Sequence, residues 1–399
     1  MKSAATLQEP AASQNQARLW HVITPEYPPQ PGGVSDYTHG LAEALAAAGD
    51  EVCVWCPAAG LGTQSDKGVL VHDVLGKLHP RDIHRLSNAL NQFPAPRRLL
   101  LQWVPHGFGY RSMNLPFCLW LWSRSALHRD RIEIMVHEPF LAFGEGTWKQ
   151  DLAAAVHRAM TVVLLRAAQS VWVSTPKWIV ALKPYALGRK LSFHWLPIPS
   201  NIPFVKNPAS QAAIRARFEP GCTIAGHFGT YGRVITDLLR EMIPALLNRL
   251  PNAGMILIGP GSDRFRSELV QASPSLEARL FATGYLNQSE VSAHIRACDV
   301  MIQPYPDGVT TRRSSVMAAL SHGRPTVTTS GKLSEPFWAE CRAVALHSVG
   351  DLEGFLSVTL PLYQNGEKRK LLGLRAEELY AERFDIRNVV ASLRRSSEA

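Results

Sequence analysis

The 399-residue sequence has no apolar run long enough to cross a bilayer. Its longest, Leu115–Trp122 and Met160–Leu165, fall well short of the ~20 residues that a membrane helix needs. Met1–Arg18, rich in Ala, Gln and Ser, holds no apolar core of signal-peptide length. A cytoplasmic protein with a disordered tail at 1–18 is therefore the expectation. No Cys/His group has zinc spacing, and no metal site is expected. The six cysteines are scattered, at 53, 56, 118, 222, 298 and 341. Cys53 and Cys56 have redox-motif spacing, but Glu51–Cys56 reads as a buried strand. Residues three apart on a strand point to opposite faces, so two separate core thiols are expected.

A dense basic tract is missing too. Lys and Arg number 42 against 33 Asp and Glu, a net charge of +9. Residues 1–199 carry 19 basic and 14 acidic groups, and the remainder 23 and 19. Nucleic acid is disfavoured, because no basic stripe is interleaved with aromatics. Diffuse positive charge suits anionic small molecules or an anionic membrane surface better. Arg97-Arg98 and the stretch Arg124–Arg131 are where peripheral contact with a membrane or a lipid-linked acceptor would be sought.

What is present is an alternation of short apolar strands and amphipathic helices. Leu19–Thr24, Glu51–Cys56, Leu99–Trp103, Ile132–His137, Ser170–Ser174 and Ser192–Leu196 read as strands, with a helix over about Val34–Ala48. The Pro-rich stretch Pro197–Pro203 reads as a linker. The pattern then restarts with strands at Thr223–Gly229, Met255–Gly259, Leu280–Thr283, Val300–Gln303 and Thr326–Thr329. Helices fall at Ile235–Leu250, Gln288–Ala297 and Ser314–Ser321, and a charged helical tail runs over about Glu367–Ser397. The fold class is α/β: two doubly wound, Rossmann-like domains facing a cleft, with ligands at the carboxyl ends of the strands. The divisions are 1–18, 19–200, 201–382 and a final helix at 383–399.

Two loops stand out for their chemistry. Gly32-Gly33 lies between a strand and its helix, where backbone can approach a ligand and the helix N-terminus offers N–H groups to an anion. Pro306-Asp-Gly-Val-Thr-Thr-Arg-Arg-Ser-Ser315 leads a Gly-bearing loop into the helix from Ser314. Two arginines and two hydroxyls at that N-terminus make a second anion site.

The run Pro25-Glu-Tyr-Pro-Pro-Gln-Pro-Gly-Gly-Val-Ser-Asp-Tyr37, followed by Leu41-Ala-Glu-Ala-Leu45 and Ala48-Gly-Asp-Glu-Val52, resembles the N-terminal signature of glycosyltransferase family 4. Ile256-Leu-Ile-Gly259-Pro-Gly261, Gly284-Tyr285, Ala297–Pro304 and Ala318–Pro325 follow in that family's order. The resemblance spans roughly 19–390. It implies a retaining, metal-independent enzyme of the GT-B fold with no cofactor beyond its nucleotide-diphosphate sugar. It implies an acceptor that is a sugar or lipid-linked, and a terminal helix crossing back at about Phe384–Ser397. It gives no oligomeric state.

By position, Gly32 and Gly33 would lie beside the donor diphosphate, with Gly33, Tyr37 and Glu138 toward the acceptor. His137 matches the family's active-site histidine, and Ser174-Thr175 face the same cleft. Gly229, Gly259, Gly261, Tyr285 and Leu286 would line the donor. The chain departs from the family where the diphosphate binds. Arg233 follows the first strand of the second domain, but no lysine follows it before Leu250. The family's two glutamates fall on Thr310 and Ala318. Asp307, Thr310, Thr311, Arg312, Arg313, Ser314 and Ser315 are thus the residues left to hold the donor, with His137, Arg233 and Arg313 as the catalytic set. A non-catalytic sugar- or protein-binding relative, and a nucleotide-sugar epimerase, are the alternatives.

Overall fold

The computed structural model describes residues 17–57, 63–144 and 146–396. The tail expected at 1–18 thus lies, up to residue 16, outside the described residues.

Eight strands form the first sheet: β1 (Leu19–Ile23), β2 (Glu51–Trp55), β3 (Thr63–Asp66), β4 (Val69–His72), β5 (Arg98–Trp103), β6 (Arg131–Val136), β7 (Ser170–Val173) and β8 (Ser192–Trp195). Their order is β3-β4-β2-β1-β5-β6-β7-β8, parallel throughout except for the β3–β4 pair. Its helices are α1 (Gly33–Ala47), α2 (Pro80–Leu90), α3 (Leu115–His128), α4 (Trp148–Ala167) and α5 (Pro176–Leu182). The second sheet holds β9 (Thr223–Phe228), β10 (Ala253–Ile258), β11 (Leu280–Ala282), β12 (Val300–Gln303), β13 (Thr326–Ser330) and β14 (Ala345–Ser348). Its order is β11-β10-β9-β12-β13-β14, all parallel. Between and beyond these strands run α6 (Pro208–Arg215), α7 (Arg233–Arg249), α8 (Ser262–Ala272), α9 (Gln288–Ala297), α10 (Ser314–Ser321), α11 (Phe337–Glu340), α12 (Leu352–Gln364), α13 (Gly366–Leu379) and α14 (Ile386–Arg395).

Both sheets reverse strand order next to their first strand, at β1/β5 and at β9/β12. A doubly wound sheet opens its ligand crevice at that switch point. Near-continuous apolar strands suit sheets covered on both faces. Accordingly, Ile23, Leu99 and Leu101 pack on one side of the first sheet, and Trp20, Val22 and Leu100 on the other. Cys53 and Cys56 divide the same way between the two cores, and burial pushes their thiols up to about 11 and about 12. They are the two separate core thiols that strand alternation predicts.

Two strand pairings differ from the sequence reading. The β3–β4 hairpin turns on Lys67-Gly68, both at positive φ, where the usual cue is Asn-Gly. The short strand β14 pairs at the edge beside β13. Of the arginines considered for membrane contact, Arg129 is exposed and Arg131 partly so, while Arg97 and Arg124 are buried and Arg98 nearly so. Arg97 and Arg124 converge on Asp130, at 3.1 and 2.6 Å, and Arg98 pairs with Glu133 at 2.7 Å, all with their charged groups buried. These are internal braces. The Leu115–Trp122 segment is amphipathic: Phe117, Cys118 and Leu121 are buried, while Leu119 and Trp122 are exposed.

The chain crosses from one sheet to the other over residues 196–207, which contain no helix or strand. After α13 a π turn at Tyr380–Phe384 redirects it, and α14 packs Val389, Val390 and Leu393 against Trp20, Tyr37 and Leu41. Asp385 caps α14 by accepting the Arg387 N–H at 2.9 Å. Among the described residues, no helix is long and apolar enough to cross a membrane.

Candidate functional site

Each sequence-predicted site residue sits on a loop at the carboxyl end of a strand or on the first turns of the helix that follows. A cavity of about 320 Å³ lies between the two domains and brings a subset of them together: Gly32, Gly33, Tyr37, His137, Glu138, Arg312 and Ser314. Glu26, His106 and Ser174 share the same wall. His106 was missed, because Pro105-His-Gly107 after β5 has no spacing that marks it.

His137 follows β6, its backbone N–H donating to the Trp103 carbonyl at 3.0 Å. Its Nε2 is 2.9 Å from Gln102 Oε1. That oxygen can only accept, so Nε2 carries the proton and Nδ1 keeps a lone pair. Burial pushes the imidazole down to about 3, so the ring is neutral near pH 7. It can accept a hydroxyl proton in a hydrogen bond but cannot store one. Tyr37 stands edge-on to it, ring centroids 5.0 Å apart, with its hydroxyl buried and unpartnered.

Helix α1 does not offer the anion seat that the Gly-Gly loop suggests. Glu26 Oε1 already accepts from the N–H groups of Val34 and Ser35, at 2.9 and 3.0 Å. Gly33 faces open space.

The opposite wall is different. Helix α10 starts at Ser314 with Arg313 as N-cap, whose side chain makes no hydrogen bond to the first turn. Arg312 reaches across the cleft to Glu138, Nη1 to Oε1 3.1 Å, and Glu138 also lies 3.9 Å from His106. Arg313 lies over the Tyr305 ring, 4.9 Å from its centroid, with Nε buried and unpartnered. Burial first, then the neighbouring Arg312 charge, lower its pKa. Two adjacent guanidiniums beside a helix start are groups to which an anion would be drawn.

Other predicted residues have structural duties. Thr311 is buried, with Oγ1 2.8 Å from both the Ser174 carbonyl and Glu335 Oε1, and it accepts from Trp195 Nε1 at 3.1 Å. It clasps the two domains and is not open to a ligand. Glu335, which the sequence reading did not single out, is buried and also accepts from the Thr311 N–H and Trp338 Nε1. The Asp307 carboxylate pairs with the exposed Lys332 at 3.1 Å. Ser315 Oγ is 2.8 Å from Tyr305 OH, and Leu286 packs against the Ile256–Ile258 core. Thr310 is buried with Oγ1 unpartnered, and Ala318 is core.

Gly229, Gly259, Gly261 and Tyr285 gather apart from that cavity, at the ends of β9, β10 and β11. Gly259 has φ 116°, and a Cβ there would stand 2.3 Å from the Gly229 carbonyl oxygen. Tyr285 is 81% exposed, and Arg233 opens α7 with its side chain 93% exposed, 3.8 Å from Asp237. The buried His227 behind Gly229 donates Nδ1–H to the Ile302 carbonyl at 2.8 Å. Its Nε2 is left unpartnered, and burial holds the ring neutral at about 4. Among the described residues, no group of three or more His, Cys, Asp or Glu is placed to hold a metal ion.

Residues 220–365 match the family model described as glycosyl transferases group 1. No curated protein matches the sequence. Among solved structures, sucrose-phosphate synthase from Thermosynechococcus elongatus is similar at TM-score 0.74 and 15% identity, covering 96% of this chain and 98% of that one. HepE from Anabaena, in complex with UDP and glucose, is similar at TM-score 0.67 and 14% identity, covering 96% and 100%. The trehalose-phosphate synthase of Burkholderia xenovorans, in complex with glucose-6-phosphate, is similar at TM-score 0.68 and 13% identity, with the same coverage. At such identities the likeness is one of fold, and that fold is GT-B.

Proposed function

We propose that this chain, a GT-B fold whose second domain matches the group 1 glycosyltransferases, transfers a sugar from a nucleotide-diphosphate sugar to an acceptor hydroxyl. The observation that carries the reading is the cationic start of α10, where Arg313 and Arg312, the latter paired with the exposed Glu138, flank the first turn. A departing diphosphate is the anion such a seat would stabilise, and that stabilisation is the main catalytic term available here. The acceptor enters along the wall of Gly33, Tyr37 and Glu138, and the neutral His137 accepts a hydrogen bond from a sugar hydroxyl. The donor's nucleotide extends toward Gly229, Gly259, Gly261 and Tyr285, with Arg233 at the rim.

Thr310 and Ala318 stand at the family's glutamate positions, and the two carboxylates of the cavity are engaged elsewhere, Glu26 by the α1 N–H groups and Glu138 by Arg312. Retention then proceeds by front-face attack, with the departing phosphate oxygen taking the acceptor proton. Catalysis is positioning plus charge stabilisation, without metal. Assembly of a polysaccharide or glycoconjugate, on a sugar or lipid-linked acceptor, is the setting that suits this chemistry.

A thermal-shift screen of UDP, GDP, ADP, TDP and their common sugars tests the reading. A ligand at 100 times its dissociation constant stabilises by about 2.7 kcal/mol. The UDP series comes first, since HepE is described in complex with UDP-glucose. A shift by one series together with sugar transfer supports the proposal. A shift without transfer favours a non-catalytic sugar-binding relative, the reading to which the missing glutamates point. No shift from any series removes the donor assignment.

A further inference from the structure

The N-terminus of α1 ends at the cleft, and Gly32 supplies it with no side-chain cap. Such a terminus ordinarily draws a phosphate or carboxylate. Here the seat is filled from within the chain. Glu26 Oε1 accepts from the N–H groups of Val34 and Ser35, which an incoming phosphate would need. Gly32 permits the arrangement, because a Cβ at that position would stand 2.2 Å from Glu26 Oε1. Glu26 Oε2 makes no hydrogen bond to the described residues, and Glu26 lines the cavity beside His137 and Glu138.

We propose that Glu26 sets the chemical class of the group this wall accepts: an uncharged, hydroxyl-bearing acceptor, and not a phosphorylated one. The inference rests on the glycosyltransferase reading. A phosphate reaching this wall meets two carboxylates, one of them already engaging the Arg312 guanidinium, and finds the Val34 and Ser35 N–H groups taken. A sugar hydroxyl meets acceptors instead, at Glu26 Oε2 and at the bare Nδ1 of His137. The cleft is therefore polarised. The start of α10 stands between Arg313 and an Arg312 held by the exposed Glu138 at 3.1 Å, while the Val34 and Ser35 N–H groups of α1 are closed by Glu26. One substrate presents its diphosphate to the first, and the other presents only hydroxyls to the second.

Hydrogen exchange followed by mass spectrometry on the full chain tests this, with inorganic phosphate as the probe. In the wild type, the peptide holding Val34 and Ser35 is protected and indifferent to millimolar phosphate. Glu26→Ala loses that protection and regains it when phosphate is added. Glu26→Gln keeps an amide oxygen at the same place, so it retains both fold and protection, and it serves if the alanine variant does not fold. Added protection of the wild-type peptide by phosphate would overturn the proposal, since the carboxylate would then be a placeholder that substrate anion displaces.

A second arm reads transfer once a donor is known. Glu26→Gln lowers kcat/KM for a neutral acceptor by about tenfold or more, the weight of a charge-assisted hydrogen bond, with the nucleotide's Kd unchanged. A wild-type preference for the phosphorylated form of the same acceptor overturns the proposal as well. The exchange arm needs no donor, so it stands even where the transferase reading fails.

Discussion

Arg312 Nη1 lies 3.1 Å from Glu138 Oε1, and through this pair a residue from the end of β6 meets one from the loop ahead of α10. The carboxylate thus holds a guanidinium that the proposed chemistry assigns to a diphosphate. A nucleoside diphosphate must displace Glu138 from Arg312 to bind there. Glu138 is 48% exposed, so the pair is screened, and pairs of this kind are worth ~0.2–1 kcal/mol. Glu138→Gln should therefore tighten binding of the matching nucleoside diphosphate by about two- to fivefold in isothermal titration. Unchanged or weaker binding would mean that Glu138 does not compete for this cation.

The Nε of both arginines is buried and unpartnered, but Arg313 differs from Arg312 in making no ion pair among the described residues. Held over Tyr305, it is a preorganised charge with no carboxylate in direct contact among the described residues. Arg313→Ala should lower turnover by ~10²-fold or more if it clamps the leaving diphosphate. Arg313→Lys keeps the charge but loses the planar fork, and should recover only part of that loss. Turnover unchanged in Arg313→Ala, with a verified donor, would remove Arg313 from the catalytic set.

The contrast between those two arginines shows how far sequence reaches. The apolar strands β1, β2, β5 and β9 stand within a residue or two of their predicted ends, because parallel strands covered on both faces read as unbroken apolar runs. The β3–β4 hairpin escaped because Lys-Gly carries a weaker turn signal than Asn-Gly and its strands are short and partly polar. At the site, the loop ahead of α10 was legible as a group of arginines, threonines and serines. Their division of labour was not. Whether Thr311 faces a ligand or clasps Ser174 and Glu335 is decided by residues 137 and 24 positions away in the chain. Glu26 shows the same limit. Its carboxylate lies eight and nine residues from the N–H groups it closes, through a loop whose path no local pattern dictates.

Gly259 offers a test of the second glycine cluster. Its φ of 116° is unfavourable for any side chain, and a Cβ would press on the backbone of Gly229 rather than on a movable side chain. Gly259→Ala should cost about 2–4 kcal/mol from strain and displacement together. It should also weaken nucleotide binding beyond that stability loss, since the ends of β9 and β10 would be forced apart. Chemical denaturation and nucleotide titration of the same variant separate the two effects. A variant as stable as the wild type would contradict the close approach of the two loops.

Among the described residues, burial lowers the pKa of eight histidines, including His72, His157, His294 and His347, and the four with large shifts give the stability a predictable dependence on pH. Burial holds His137 at about 3 and His21, His227 and His322 at about 4, all below the ordinary 6.5. Between about 4 and 6.5 the unfolded chain therefore binds more protons than the native one, and stability rises with pH across that window. It is fully present above 6.5 and is lost as the pH falls toward 4, by up to about 1.4 kcal/mol per pH unit for each ring. Carboxylates with lowered pKa, such as Asp82 beside Arg85 and Asp385 beside Arg387, act only below their ordinary 3.8. The carboxylates therefore add to the histidine loss only at the acid end of its window. Urea unfolding at intervals between pH 7.5 and 4.5 should show stability flat above 6.5 and falling steeply beneath it. His227→Gln should reduce that slope by one proton. A curve that stays level down to pH 5 would mean that these rings take up protons in the native state, and with them His137 would regain the ability to carry one.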